Sequence, residues 1–296
     1  MVKGHDQNKP VKKVRRSQGA EIWYRFRKNK TAMLGLAIVI ALALLAVFAD
    51  VIFDYQTQIA GLSPRNKLLP PSMEHPFGTD NMGRDLFCRV LYGTRYSLLI
   101  GILAVALGTA VAVIIGSAAG YIGGLFDDIV MRIIDIVSAV PAILLGIVIV
   151  SALGANITNL IIAISITNVP VLARITRAQI MVVKEQEFVE AARCCGLRQF
   201  SIITRHILPN CLSPILVQVT LGVASSIIAA SSLSFLGLGV PVPSPEWGAL
   251  LSAGRSQILT HSYLTLFPGL AIVITVLAFN MLGDGLRDAM DPKLRK

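Results

Sequence analysis

The 296-residue chain has little charge, few aromatic residues and no motif for cradling a nucleotide phosphate. Charged residues make up 15% and aromatic residues 6%, whereas 54% are hydrophobic, well above the share in soluble domains. The net charge is +10, but basic residues lie beside apolar runs, which argues against a nucleic-acid partner. No GxxxxGK[ST] sequence occurs, so no cofactor is expected on this chain. The composition predicts a protein embedded in a membrane.

Side chains for metal or catalytic sites are also scarce. Four cysteines, at 88, 194, 195 and 211, have no ligand spacing, and two are adjacent, so we expect free thiols. The four histidines lie outside the apolar runs or at their ends, and none belongs to an HExxH sequence. The sequence therefore predicts neither a metal site nor an enzyme.

Long uncharged stretches predict an all-α membrane protein with six transmembrane helices. A helix needs about 20 apolar residues to cross the hydrocarbon of a bilayer. Glycines and prolines mark where several of these stretches must stop being helical. The predicted spans are 31–53, 97–120, two helices within 136–173 that meet at a turn at 154–158, 212–237 and 257–283.

Lysines and arginines beside the spans favour one orientation. Residues 1–30 carry ten, 174–205 carry six and the tail after Gly283 carries four, whereas the opposite side receives five, none and one. The positive-inside rule places the richer side, with both termini, in the cytoplasm. The predicted organisation is a basic cytoplasmic segment (1–30), a first helix (31–53), an extracytoplasmic loop (54–95), a five-helix core (96–284) and a cytoplasmic tail (285–296).

The stretch "EFVEAARCCGLRQFSIITRHILPN" at 187–210 predicts two short helices within a longer polar loop, 181–210. Early glutamates suit the start of a helix, and Gly196 suits its end. Ala191 and Ala192 give the first helix a smooth surface that another protein can approach closely. A docking surface is the favoured interpretation, and a solvated connection between spans is the alternative.

Glu190-Ala191-Ala192, Gly196 and Leu208-Pro209 have the spacing of the EAA signature, so the loop resembles that of membrane subunits of binding-protein-dependent ABC importers. His206 stands where the general signature has isoleucine, and "RHILPN" is similar to the variant typical of peptide permeases. The resemblance implies docking on an ATPase by Glu190, Ala191, Ala192, Arg193, Gly196, Leu197, Leu208 and Pro209.

Residues 76–98, 231–255 and 267–296 resemble the second membrane subunit of oligopeptide and dipeptide importers. This resemblance implies the transmembrane domain of a type I ABC importer. It also implies a related second permease as heterodimer partner, two ATP-binding subunits that hold ATP and Mg, and an extracytoplasmic solute-binding protein. Peptides are the expected substrate; nickel, glutathione or another small solute is the alternative.

Polar residues within spans are candidates for the translocation pathway, because a membrane makes them costly. The candidates are Asn168, Ser225, Ser232 and Asn280, and helix packing is the alternative for each. Acidic residues lie only at span edges, which argues against a secondary transporter or channel. Near the second span, Arg84, Asp85, Arg89 and Arg95 are expected to pair with one another or with lipid head groups.

Overall fold

The computed structural model describes residues 18–291, so the outer parts of the predicted N-terminal segment and tail, 1–17 and 292–296, lie outside it. Within that range the chain is built from α-helices with a few shorter helical turns. The helices are α1 (Gln18–Lys28), α2 (Lys30–Ile52), α3 (Leu86–Ile122), α4 (Gly124–Ala139), α5 (Ala142–Leu153), α6 (Ile157–Val183), α7 (Glu187–Cys194), α8 (Gln199–Ile202), α9 (Leu208–Phe235), α10 (Trp247–Gly254) and α11 (Tyr263–Met290).

Five helical segments are long and apolar enough to cross a membrane. They are α2, α3, α6, α11 and the segment 199–235 that ends with α9. Among the described residues the count becomes six if α4 and α5 together form one broken span. The prediction of an all-helical membrane protein is confirmed, and the third span differs from the expected single helix.

The third predicted span is bent by 87° between α4 and α5. Pro141 has no backbone N–H, and Val140 before it takes an extended conformation with φ −86° and ψ 127°. α5 has 12 residues and is therefore about 18 Å long, too short to cross about 30 Å of hydrocarbon. The length of the uncharged run could not reveal this bend.

The bent pair begins and ends at opposite ends of the helix bundle. Lys184 donates a hydrogen bond to the carbonyl of Gly120 at 2.8 Å, so α4 starts beside the end of α6, where α7 follows. We call this the α7 end. The turn after α5 leads to Ile157, which lines a cavity with Asp50 and Arg95 at the other, far end. This placement favours one broken span and six crossings.

α3 begins eleven residues before the predicted start at Ser97 and takes in part of the predicted loop 54–95. Asp85 caps the helix by accepting a hydrogen bond from the Cys88 amide at 3.0 Å. Leu86 and Val90 are buried in the same apolar cluster as Trp247. Charged residues in these first turns concealed the helix from a count of uncharged residues.

α11 lies six to seven residues later in the chain than the predicted span 257–283. Its last turns stay helical because they are packed: a methyl group on Gly285 would collide with Ala32, and Ala289 is buried against Phe26 of α1. The helix ends at Asp291, which is extended and precedes a proline. Charge therefore marks the end of the apolar stretch and not the end of the helix.

α3 and α6 pack closely along much of their length because glycines let the backbones meet. A Cβ on Gly116 would lie 2.6 Å from the carbonyl oxygen of Ala173, and one on Gly120 would lie 2.8 Å from that of Arg177. Both separations are too short for real atoms, so only glycine fits. Small residues at helix contacts are typical of membrane proteins, where close packing stabilises helix pairs.

Candidate functional site

α7 is a short helix whose inner face is anchored in the protein. Val189 is fully buried and Ala192 is 7% exposed. They pack in a cluster with Ile180 of α6 and with Ile207 and Cys211 around the start of α9. Glu187 and Glu190 lie in the first turn, where the helix dipole favours carboxylates. The helix is therefore fixed relative to the spans on either side of it.

Gly196 ends α7 in the manner that its place in the sequence predicts. Its φ is +74°, a region that side chains disfavour. The amide of Gly196 donates to the carbonyl of Arg193 at 2.9 Å, and that of Leu197 donates to Ala192 at 3.3 Å. These two bonds form a Schellman motif and satisfy carbonyl groups at the helix end.

The second short helix differs from the prediction because it runs on into the next span. α8 continues through a π-helical turn at Ile203–Ile207 directly into α9. Pro209 follows this turn, and a wider turn suits a residue that has no N–H to donate. The side-chain amide of Asn210 donates to the carbonyl of His206 at 2.6 Å. α8 and α9 are therefore one continuous helical segment.

The residues predicted for docking mostly lie on the surface. Two aromatic residues that the sequence reasoning missed lie there too: Phe188 is 43% exposed and Phe200 is 78% exposed. Aromatic residues in an otherwise polar loop were the signal for them, since exposed rings often anchor protein interfaces. Of the eight predicted docking residues, Leu208 is half-buried and Ala192 is buried. The other six are exposed: Glu190, Ala191, Arg193, Gly196, Leu197 and Pro209.

α7 also contacts the end of α3. The guanidinium of Arg193 lies 5.6 Å from the ring centroid of Tyr121, within the range of a cation–π contact. Lys184 caps the same helix end through its bond to the carbonyl of Gly120, where a cation complements the helix dipole. The α7 surface is thus supported by α3, α6 and α9 together.

α6 holds α4 through two arginines. Arg177 donates two hydrogen bonds to the carboxylate of Asp127, which is 6% exposed. Arg174 donates to Asp135 and to Ser138, each at 2.9 Å. Both contacts lie between α6 and the first half of the broken span.

Of the four predicted pathway residues, Asn168 has a clear structural partner. Its side-chain amide donates to the Ser226 hydroxyl at 2.8 Å and joins α6 to α9. Ser225 is exposed, and Ser232 and Asn280 are half-buried. Asn168 thus serves helix packing, and the pathway role of these four residues stays a prediction.

A cavity of about 590 Å³ opens at the α7 end between α6, α9 and α11. Its polar lining includes Gln179, Asn210, Gln218 and Arg287, none of which was predicted as a pathway residue. The volume is typical of sites for small ligands. Glutamine side chains in an apolar span were the sequence signal for this cavity.

The charged residues before and at the start of α3 contact other groups of the protein. Of Arg84, Asp85, Arg89 and Arg95, none pairs with another of the four. Arg89 is 2% exposed and donates to the carbonyls of Ile59 at 3.0 Å and Pro243 at 3.3 Å. These bonds join three segments at the far end. The other partners are Asp80 for Arg84, His75 for Asp85 and Asp50 for Arg95.

Glu246, also at the far end, is fully buried and caps α10, a helix that the sequence reasoning missed. Its carboxylate accepts hydrogen bonds from the amides of Gly248 and Ala249, each at 2.9 Å. Burial raises the pKa of Glu246 above its ordinary value. The next residue, Trp247, donates its indole N–H to the carbonyl of Val90 at 2.9 Å.

The helical fold with its five or six spans, in the described residues, defines a multi-pass membrane protein. Residues 112–296 match the family described as "Binding-protein-dependent transport system inner membrane component", and residues 17–71 match "N-terminal TM domain of oligopeptide transport permease C". The chain therefore belongs to this family, as an ABC permease subunit of the oligopeptide and dipeptide type. The family consists of transport subunits and not of enzymes.

Two relatives show how closely the chain follows this type. It is 46% identical to the dipeptide transport system permease protein DppC of Alkalihalophilus pseudofirmus and 45% identical to the glutathione transport system permease protein GsiD of Escherichia coli. Each alignment covers 93% of this chain and 90% of the relative. The two relatives are named for different substrates, although this chain is almost equally identical to both.

A solved structure shares the fold at much lower identity. The crystal structure of an amino acid ABC transporter with histidines matches with a TM-score of 0.52 and 16% identity. The match covers 67% of this chain and 92% of that chain. At this identity the likeness concerns the helix arrangement alone.

Proposed function

We propose that this chain is the pore-forming subunit of an ATP-driven importer and that α7 docks on an ATP-hydrolysing partner. The observation that carries the proposal is an exposed, small-residue helix surface at Glu190 and Ala191 on a rigid apolar base. An interface that transmits force needs both accessibility and a fixed backing. Exposed Phe188 and Phe200 add apolar contact area beside it.

The partners follow from the family. A binding-protein-dependent permease requires a solute-binding protein outside the membrane, and this chain would pair with a related second permease and with two subunits that bind ATP and Mg. The side chain of Asn29 donates to Asp288 at 3.4 Å, so α1 and the end of α11 meet at the α7 end. If α7 faces the cytoplasm, both ends of the described chain lie there too, in agreement with the excess of basic residues.

The packing suggests how docking would move the pore. Closure of the ATP-binding subunits would push on α7, whose base includes side chains of α6 and α9 and half-buried Tyr121 of α3. The displacement of α7 would therefore move α3, α6 and α9 together. The polar cavity between α6, α9 and α11 lies next to these spans and would form the exit for the substrate.

The proposed substrate class is short peptides. The DppC relative is named for dipeptides, and the GsiD relative is named for glutathione, itself a small modified peptide. Glutathione is therefore the second candidate. Uptake of a labelled dipeptide by cells that carry the complete system, measured with excess glutathione or excess unlabelled dipeptide, distinguishes them: the true substrate competes more strongly.

The docking proposal is tested by Glu190→Lys, which reverses a charge on the exposed face of α7. We expect loss of peptide uptake and of co-purification with the ATP-binding subunits, with normal membrane insertion. Glu74→Lys makes the same change at an exposed far-end site and should leave both unchanged. Survival of uptake and co-purification in the Glu190 variant would show that α7 does not dock.

A further inference from the structure

The positive charge of this chain is concentrated at its start. Residues 1–30 contain ten lysines and arginines and two carboxylates, a net charge of +8, whereas the whole chain has +10. The remaining 266 residues are thus nearly neutral. A charge gathered in this way beside a first span indicates an acidic partner at that surface.

α1 has a fixed orientation within this segment. Phe26 is 3% exposed and packs with Ala32 and Ala289, which seats α1 on α2 and α11. Beside it Trp23 is 52% exposed and Tyr24 is 45% exposed. The Trp23 ring stacks on Phe26 with centroids 5.9 Å apart, so it is held in place. The exposed rings therefore belong to a helix that is packed against the rest of the protein.

Basic groups on and after this helix lack carboxylate partners. Arg25 pairs with Glu21 at 2.6 Å. Arg27, Lys28 and Lys30 are exposed, and within residues 18–291 none has a carboxylate at salt-bridge distance. The ammonium of Lys28 lies 4.4 Å from the ring centroid of Tyr24. Aromatic and cationic groups therefore occupy one neighbourhood.

The depth of this surface matches phospholipid head groups. α2 follows directly, and its 23 residues extend about 34 Å, against about 30 Å of hydrocarbon. Its start at Lys30 thus lies at the membrane interface, where tryptophan and tyrosine are favoured. Phosphates of anionic lipids are the acidic groups present at this depth.

We propose that α1 and the start of α2 form a binding patch for anionic phospholipid head groups in the leaflet at the α7 end. Arg27, Lys28 and Lys30 bind the phosphates, and Trp23 and Tyr24 lie among the head groups. We call these five residues the α1 patch. The proposal does not depend on the docking role of α7, because the two surfaces share no residue.

The test uses Trp23 as a reporter in the full-length chain reconstituted into phosphatidylcholine vesicles. Acyl-brominated phosphatidylglycerol should quench its fluorescence with a higher relative binding constant than brominated phosphatidylcholine. Trp247, which is 1% exposed, is the other tryptophan, and Trp23→Phe identifies the signal. Arg27→Gln with Lys28→Gln should reduce the preference about fivefold for each charge removed.

Controls separate this patch from general charge effects. Arg65→Gln with Lys67→Gln removes the same charge from exposed far-end residues and should retain the preference, as should Arg27→Lys. Higher salt should weaken it. An unchanged preference in the Arg27 and Lys28 variant overturns the proposal. The same holds if that variant loses the ATP-binding subunits instead, because the patch would then be a protein contact.

Discussion

The guanidinium of Arg177 in α6 donates two hydrogen bonds to the carboxylate of Asp127 in α4, 50 residues earlier in the sequence. The buried residues of α4 are Asp127 and Ile134, so this pair is a main attachment of α4, the first half of the broken span. Because α6 leads directly to α7, the pair also connects that span to the proposed docking helix.

Asp127→Asn should destabilise the protein by about 1.5–3 kcal/mol, because a half-buried guanidinium would lose its charged acceptor. Thermal unfolding of the purified protein measures the loss. Adding Arg177→Gln removes the unpaired charge, so the double variant should lose less than the two single losses added together. Strict additivity would contradict direct coupling of the two side chains.

Features set by local sequence were predictable. The apolar run of the first span needs no partner to be recognised, and α2 lies within one residue of its predicted bounds. Gly196 was predictable as a helix end for the same reason, since a helix end with positive φ favours glycine. The docking residues at Glu190 and Ala191 were located through these signals, though their function stays a prediction.

Features set by distant contacts were not predictable. The start of α3 depends on packing against Trp247, and the end of α11 depends on packing against α1 and α2. Arg89 does pair with a nearby charge, Asp80 at 3.8 Å, but its hydrogen bonds to carbonyls 30 and 154 residues away were not expected. Pro141 is a local signal for a bend, because proline interrupts a helix, but the 87° angle could not be read from the apolar residues on both sides of it.

Gly196→Ala should lower stability by about 1–2 kcal/mol through the backbone alone. No atom lies within 4 Å of the position that a Cβ would take, so φ of +74° is the sole obstacle. Gly196→Asn should lose less, because asparagine tolerates this conformation. Unfolding temperatures of the two variants provide the comparison, and equal losses would point to a cause other than φ.

Glu246 should make stability depend on pH. Burial raises the pKa of this carboxyl above its ordinary value of 4.5, so the folded state binds a proton more readily than the unfolded state. Its contribution is full below pH 4.5 and is lost as pH rises through the raised pKa of the folded protein. Stability should therefore fall with increasing pH over that window.

Glu246→Gln isolates this effect because glutamine does not titrate. The variant should lose part of the α10 cap, since its amide nitrogen cannot accept the hydrogen bond from Ala249 or Gly248. The difference in unfolding temperature between wild type and variant, followed from pH 4.5 upward, should shrink as pH rises. A constant difference would show that Glu246 does not titrate differently on folding.

The broken span predicts opposite accessibility for two positions that flank it. Ala155 lies in the exposed turn after α5, and Asp128 is exposed near the start of α4. With the four native cysteines replaced by serine, Ala155→Cys should react with a membrane-impermeant thiol reagent in intact cells. Asp128→Cys should react only after the membrane is opened. Labelling of both from one side would mean that α4 and α5 form a re-entrant loop. The chain would then cross the membrane five times. An odd number of crossings would place α1 and the end of α11 on opposite sides, although Asn29 meets Asp288.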